Sequence, residues 1–397
     1  MKVNKNFLFL IVGQSLANLG DILYVVSIIS ILYQVTHSAV IASFVPFTIT
    51  TAMFVSSILT PLAMGKWNLK TLLIVSQIGK TILLIGLGLF ALLFLQQSNY
   101  YVVFFIVGGI SFLDGCANPI LRTLLPYFVA DEQLVRSNSM VESIGQIIQI
   151  GAWLFGALLL LAINAVHILW LVSGLFLLSS LFLCFISQVQ HVEEKEKNLW
   201  TQLTKGWKSI GATPLLRKLV QMDILETIAG AVWIAAILYV FVEQALHAGE
   251  QWWGFINGSF FIGLLLGSIY CVKFPQVVEQ YKFYFIFGGS LLGGMLTILF
   301  GITSTPFLAL VLSAGIGLFS QLKNIPQQTA IQRSVPTEKL ATVYTSLGTV
   351  ATGTFGISSL LIGLVADLFG VRIVFLISGA LLVIVSFIAF TNKRLLI

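Results

Sequence analysis

Residues 187–216 read SQVQHVEEKEKNLWTQLTKGWKSIGATPLL, and this polar stretch divides an otherwise apolar chain. On both sides of it lie apolar runs of the ~20 residues that an α-helix needs to cross a bilayer. Six runs precede the stretch, at 7–33, 39–63, 70–95, 100–121, 138–161 and 167–187. Six more follow it, at 217–242, 252–272, 282–302, 305–326, 342–366 and 371–390. They are numbered as spans 1 to 12.

This pattern predicts an all-α polytopic membrane protein with twelve transmembrane helices in two six-helix groups. We expect an N-terminal six-helix bundle over 1–187, a cytoplasmic linker over 188–216 and a C-terminal six-helix bundle over 217–397. Within the linker, Leu199–Ile210 is expected to form a short amphipathic helix on the membrane surface.

The composition excludes most other classes of protein. Only 9% of the 397 residues are charged and 58% are hydrophobic, with a mean hydropathy of +0.99. An ordinary soluble domain carries about 25% charged residues. A soluble enzyme, a secreted disulfide scaffold, a nucleic-acid binder and a disordered chain are therefore all excluded.

The positions of the basic residues predict the orientation in the membrane. All but two of the 21 Lys and Arg residues fall at the ends of spans on one side, and no other parity of spans gives such a division. The exceptions are Lys80, within span 3, and Arg372. Because short cytoplasmic loops are rich in Lys and Arg, both termini are expected in the cytoplasm. This cytoplasmic set includes Lys323, near the inner end of span 10.

The two halves of the chain also resemble each other. LVSGLFLLSSLF at 171–182 aligns with LISGALLVIVSF at 376–387, an offset of 205 residues (376 minus 171). At nearly the same offset, Asn118 aligns with Asn324. Parallel six-span repeats build the two halves of one large class of transporters, whereas a receptor or a membrane enzyme gives no reason to expect them.

Four stretches resemble a known family. The loop LRTLLPYFVADEQLVRSNSM at 121–140 resembles the L-P…V-P-x-E-x-L…A-N-S loop of major facilitator exporters of the macrolide-efflux and enterobactin-exporter type. QRSVPTEKLATVYTSLG at 332–348 resembles its second copy, V-P-x-E-x-R-G-R-V. GQSLANLGD at 13–21 is similar to the S-x-L-G-D start of the group, and GLVADLFGVR at 363–372 matches G-x-x-A-D-x-x-G-x-R.

The resemblance implies a transporter of a bacterial plasma membrane that works by alternating access around a cavity lined by spans 1, 4, 7 and 10. Its activity would be efflux of a small amphipathic compound (a drug, macrolide or siderophore-like metabolite) by a proton antiporter, a property linked to antibiotic resistance. The expected partners are this substrate, protons and the lipid bilayer, without nucleic acid, and we expect a monomer.

The chain departs from the superfamily between spans 2 and 3. In AMGKWNLKTLLI at 63–74, Gly65 occupies the position of the usual Asp, and Lys66 that of the usual Arg. The gate that this Asp usually forms between the halves must therefore be weaker or be built from other residues.

Ionisable side chains at membrane depth cost about 2.5–3.5 kcal/mol each on insertion scales, so they tend to be functional. The candidates for proton coupling are Asp21 in span 1, Glu226 in span 7 and Asp114 in span 4. Asp21 and Glu226 are 205 residues apart (226 minus 21), so they occupy equivalent positions of the repeat. Lys80 in span 3 and Glu142 in span 5 are expected to form structural ion pairs.

A second set of residues is expected at the substrate cavity. It comprises Asp223, one helical turn before Glu226, the aromatic residues Trp233 and Tyr239 of the same span, and Asn118 in span 4. Structural alternatives remain open: Asp223 could pair with a nearby base, and most aromatic side chains of membrane proteins belong to the core or the interface belt.

Other chemistry finds no support in the sequence. There is no Walker loop for ATP, and the histidines and cysteines form no metal-ligand or triad spacing, so we expect neither an enzyme nor a cofactor or metal. Two further hypotheses stay open: a transporter of lipid, lysolipid or a metabolite without proton antiport, and a transporter-like sensor that carries no substrate.

Overall fold

The computed structural model describes residues 4–64, 66–188, 198–233, 235–249 and 251–396. These residues are almost entirely helical and contain no strand. The first six spans are the helices Lys5–Thr36, Ala39–Met64, Leu69–Leu93, Tyr101–Phe128, Leu134–Ala162 and Ala165–Cys184. Spans 8 to 12 are Gln251–Lys273, Lys282–Ile302, Pro306–Ser334, Thr337–Phe369 and Val371–Thr391.

Span 7 is a broken helix. Pro214–Gly230 is followed by the 3₁₀ turn Ala231–Trp233 and then by the helix Ala235–Gln244. Ten helices are individually long and apolar enough to cross a membrane, and the two parts of span 7 together make an eleventh. With the 29-residue helix of span 5, the fold is the predicted all-α arrangement of twelve helices.

Four shorter elements lie between or after the spans. They are the 3₁₀ turn Asp131–Gln133, the linker helix Leu199–Ala212, and the helices Pro275–Gln280 and Lys393–Leu396. The linker helix confirms the prediction of a helix from Leu199.

The chain divides into two compact units. Unit 1 comprises Met1–Ala130, Ile147–Lys208 and Thr337–Thr352, and unit 2 comprises Asp131–Gln146, Ser209–Pro336 and Gly353–Ile397. The first half of span 5 thus belongs to unit 2, and the first half of span 11 belongs to unit 1. Division into two six-helix bundles at 188–216 stays a prediction.

Each unit has its own apolar core. In unit 1, side chains of spans 1, 3, 4 and 6 pack together, among them Ile28, Leu84, Val107 and Phe176. In unit 2, the rings of Phe241, Phe300 and Phe375 lie 4.7–5.1 Å apart between centroids.

Spans 8 and 10 of unit 2 pack backbone against backbone. A Cβ atom on Gly263 would lie 2.0 Å from the carbonyl oxygen of Ala314, and one on Gly317 would lie 2.2 Å from that of Phe260. Only glycine permits so close an approach, which is how many membrane helices associate.

Arg372, at the start of span 12, binds the ends of two other spans. Its Nη1 donates to the carbonyl oxygens of Gly301 (2.9 Å) and Thr303 (2.8 Å), and its Nη2 donates to that of Ala245 (2.9 Å) and to the Ser304 hydroxyl (2.8 Å). The last carbonyls of a helix lack partners within it and carry partial negative charge. The guanidinium therefore satisfies the ends of spans 7 and 9.

We expect Arg372→Ala to lower the free energy of unfolding by about 3 kcal/mol, because each hydrogen bond to a charged group contributes about 1.5–3 kcal/mol and neighbouring contributions overlap. Arg372→Lys should retain only part of this stability, since an ammonium lacks the planar set of N–H donors of the guanidinium. Thermal unfolding in detergent measures both variants against Arg394→Ala, which removes an exposed base. Equal melting temperatures for the two alanine variants would contradict the assignment.

Candidate functional site

Three of the predicted residues form one ion cluster in unit 1. The Lys80 Nζ lies 2.8 and 3.0 Å from the carboxylate oxygens of Asp21, and 2.9 Å from Oδ1 of Asp114. The lysine side chain is 1% exposed and each aspartate 23%. Spans 1, 3 and 4 each contribute one member, and we call the set the Lys80 cluster.

The surroundings of Lys80 hold it in this position. Its Nζ also lies 4.7 Å from the ring centroid of Phe176 in span 6. A desolvated ammonium is attracted to an aromatic face as well as to carboxylates. The cation is therefore contacted from spans 1, 4 and 6, all within unit 1.

A second buried ion pair lies in unit 2. The Lys323 Nζ is 2.7 Å from Oε2 of Glu226, and the two side chains are 6% and 12% exposed. The other carboxylate oxygen, Oε1, is buried without a hydrogen-bond partner among the described residues. A buried acceptor without a donor is uncommon and calls for an explanation such as a bound ligand or water.

The prediction that Lys323 is one of the cytoplasmic bases at the end of span 10 is wrong. The helix of span 10 continues to Ser334 with Pro326 inside it, so Lys323 lies well within the helix and is buried. The polar sequence QLKNIPQQT around it looked like the end of a span. The apolar run that directly precedes Lys323 could have indicated that this lysine lies within the membrane helix.

The remaining candidates lie on spans 4, 5 and 7. Asn118 is half-buried on span 4, whose helix continues past the next residue, Pro119. Asp223 and Glu142 are half-buried on spans 7 and 5, and Tyr239 is 38% exposed on span 7. Their assignments to the cavity and to a structural pair stay predictions.

Trp233 occupies the core of unit 2. Its ring centroid lies 5.3 Å from that of Phe260, with the rings stacked, 5.2 Å from Phe300 and 5.7 Å from Phe375. These contacts favour the structural alternative for this ring, because three phenylalanines already cover it.

Charged and polar contacts also join span 5 to span 10 within unit 2. The guanidinium of Arg333 donates to Oδ1 of Asp131 at 2.8 Å and to the carbonyl oxygen of Asp131 at 2.6 Å, and it pairs with the Glu279 carboxylate. Nearby in sequence, the buried Asn138 donates to Oε1 of Gln332 at 2.7 Å and to the Thr329 hydroxyl at 3.1 Å.

Between spans 2 and 3, Gly65 lies outside the described residues and Lys66 is exposed. Among the residues that the structure describes, no group of three His, Cys, Asp or Glu side chains could hold a metal ion.

Twelve membrane helices with buried charges in both compact units are typical of membrane transport proteins. Residues 10–354 match the sequence profile of the Major Facilitator Superfamily, and the chain belongs to this family. It is thus a multi-pass secondary transporter of the superfamily and not an enzyme.

Two relatives from Bacillus subtilis (strain 168) align over almost the whole chain. The uncharacterized MFS-type transporter YfmI is 28% identical over 395 residues, which cover 99% of this chain and 97% of YfmI. The uncharacterized MFS-type transporter YjbB is 29% identical over 395 residues, which cover 99% of this chain and 96% of YjbB. Among solved structures, the E. coli fucose:proton symporter FucP is similar in fold, with a TM-score of 0.77, 13% identity and coverage of 98% of this chain and 97% of FucP.

Proposed function

We propose that the protein exports a small amphipathic compound from the bacterial cell by proton antiport, with the Lys80 cluster as the proton-binding site. The observation that carries this proposal is the charge of the cluster. Two carboxylates face one ammonium, so the fully ionised cluster has one net negative charge, and a single proton on Asp21 or Asp114 makes it neutral. A buried site that changes between these two states suits a proton carrier, because burying an uncompensated charge is costly.

The second ion pair differs in this respect. Glu226 and Lys323 together are neutral without an added proton. Oε1 of Glu226, which has no hydrogen-bond partner among the residues that the structure describes, is instead suited to accept a hydrogen bond from an amine or a hydroxyl of the substrate. This assigns proton coupling to unit 1 and substrate contact to Glu226 in unit 2, with Asp223, Tyr239 and Asn118 as further candidates for the cavity.

Export of a drug, macrolide or siderophore-like compound is supported by the loop motifs described above, and a bacterial plasma membrane by the two Bacillus relatives. Cytoplasmic termini are supported by the distribution of Lys and Arg. One proton moving through 100 mV supplies about 2.3 kcal/mol, enough to accumulate an amphiphile against a modest gradient.

The test is transport in proteoliposomes with an imposed pH gradient. A resistance profile of cells that lack or overproduce the protein, across toxic amphiphiles including macrolides, selects the compound. We expect Asp21→Asn and Asp114→Asn to abolish gradient-driven accumulation and to retain exchange of labelled for unlabelled compound, because only the proton site is altered. Glu132→Gln, which neutralises an exposed acid, is the matched control.

Each alternative has its own outcome in this assay. Full gradient-driven accumulation by both aspartate variants would contradict the assignment of the proton site. Flux that ignores the pH gradient would favour a transporter of a metabolite or lipid without proton antiport. Binding of the compound without any flux would favour a sensor.

A further inference from the structure

The linker helix Leu199–Ala212 has two different faces. Its start is capped by Asn198, whose side chain accepts a hydrogen bond from the backbone N–H of Trp200 at 3.0 Å. On one face Gly206 is buried, whereas on another Trp200 and Trp207 are 71% and 43% exposed. These two tryptophans are seven residues apart and therefore point the same way, since a helix turns by about 100° per residue.

The buried face of the linker helix packs against the first half of span 11. A Cβ atom on Gly206 would lie 2.1 Å from the carbonyl oxygen of Thr342 and 2.3 Å from Oγ of Ser346. The backbones are therefore in direct contact, and the helix cannot roll without losing this contact. This contact therefore keeps Trp200 and Trp207 on the exposed face.

The exposed face combines apolar rings with positive charge. Lys208 is exposed next to Trp207, and the helix contains a second lysine, Lys205, and no acidic residue. The helix ends at Ala212, and span 7 begins at Pro214, so one residue separates it from a membrane helix. The linker helix therefore directly precedes a membrane helix in the chain.

We propose that this face binds anionic phospholipid headgroups of the surrounding bilayer, with the two indoles at headgroup level and Lys208 beside the phosphates. Tryptophan prefers this interface, because its ring is apolar and its N–H is polar. A lysine near an anionic leaflet is attracted to it.

The proposal is tested by the depth of a spin label at Gly211→Cys, in protein whose three cysteines are replaced by serine. Gly211 is exposed four residues after Trp207, and a Cβ atom there meets nothing within 4 Å. In nanodiscs of phosphatidylcholine with about one-third phosphatidylglycerol, we expect a water-soluble nickel chelate to reach the label about threefold less than in phosphatidylcholine alone.

Reversing the charge of Lys208 tests whether this lysine causes the difference in nickel accessibility between the two lipid compositions. Lys208→Glu should remove the dependence on phosphatidylglycerol, whereas Lys66→Glu, which reverses an exposed lysine elsewhere, should leave it. Equal nickel accessibility in both lipids, or equal behaviour of the two variants, overturns the proposal. A label that is accessible in nanodiscs but shielded in native membranes also overturns it, because a protein partner then covers the face.

The contact between the linker helix and span 11 gives a separate prediction. Gly206→Val should displace the linker helix, because the new side chain would overlap the Thr342 carbonyl and the Ser346 hydroxyl. Hydrogen exchange of the backbone amides at 337–352 is expected to rise at least about tenfold, as local contacts set protection. Gly211→Val, at an open position of the same helix, is the control, and equal exchange in the two variants would contradict the contact.

Discussion

Replacing Lys80 with methionine is expected to lower the free energy of unfolding by about 3–5 kcal/mol, the usual effect of removing one partner from a buried ion pair. The variant leaves Asp21 and Asp114 beside the same space with no cation between them. Methionine has a similar length and can fill the space against Phe176, so the loss reports charge and not a cavity. Thermal unfolding of the purified protein in detergent measures the effect.

Second-site variants make this prediction specific. Lys80→Met combined with Asp114→Asn removes one of the two facing carboxylates and should recover a large part of the lost stability, as coupled sites are not additive. Lys66→Met, which removes an exposed lysine, should have little effect. If Lys80→Met were as stable as Lys66→Met, the buried cluster would not contribute to folding.

The fold could be predicted from the sequence because hydropathy reports it directly. A run of about 20 apolar residues must lie in the bilayer, so the number of spans follows from composition. Where a helix ends does not follow in the same way. Span 10 was expected to end at 326 and continues to Ser334, because polar residues alone do not end a helix. The misplacement of Lys323 is a consequence of this difference.

The site could be predicted only in part. Asp21, Lys80 and Asp114 were identifiable individually, since a charge within an apolar run is conspicuous. Their contact joins residues 59 and 34 positions apart on three helices. Which faces of these helices meet depends on packing, and hydropathy along one chain contains no such information. The Glu226–Lys323 pair was missed for the additional reason that Lys323 was assigned to the wrong environment.

Arg333 forms a third cluster of charged contacts, with Asp131 and Glu279. Arg333 holds Asp131 through both a carboxylate oxygen and a backbone carbonyl, and it also pairs with Glu279 in the short helix before span 9. An arginine with two such partners forms stronger and more directional contacts than a lysine. We therefore expect the contact between the start of span 5 and the end of span 10 to depend on this one side chain.

Arg333→Ala is expected to release the segment 131–146 from span 10. The contact of Asn138 with Gln332 and Thr329 stays in this variant, and it joins neutral groups. Loss of about 2–3 kcal/mol corresponds to a 30- to 150-fold rise in the open population, because each 1.4 kcal/mol is a factor of ten. Hydrogen exchange of the amides at 131–146 measures this rise.

Three variants decide whether Arg333 has this role. Arg333→Lys keeps the charge, but a lysine cannot reach all three acceptors in one plane. Exchange of the amides at 131–146 should therefore be intermediate between that of the unchanged protein and that of Arg333→Ala. Lys339→Ala removes an exposed base six residues further on and should leave exchange unchanged. Asn138 and Arg333 both join the segment 131–146 to span 10 within unit 2. Asn138→Ala with Arg333→Ala should therefore open the segment further than either change alone, and unchanged exchange in the double variant would rule out the contact as a restraint.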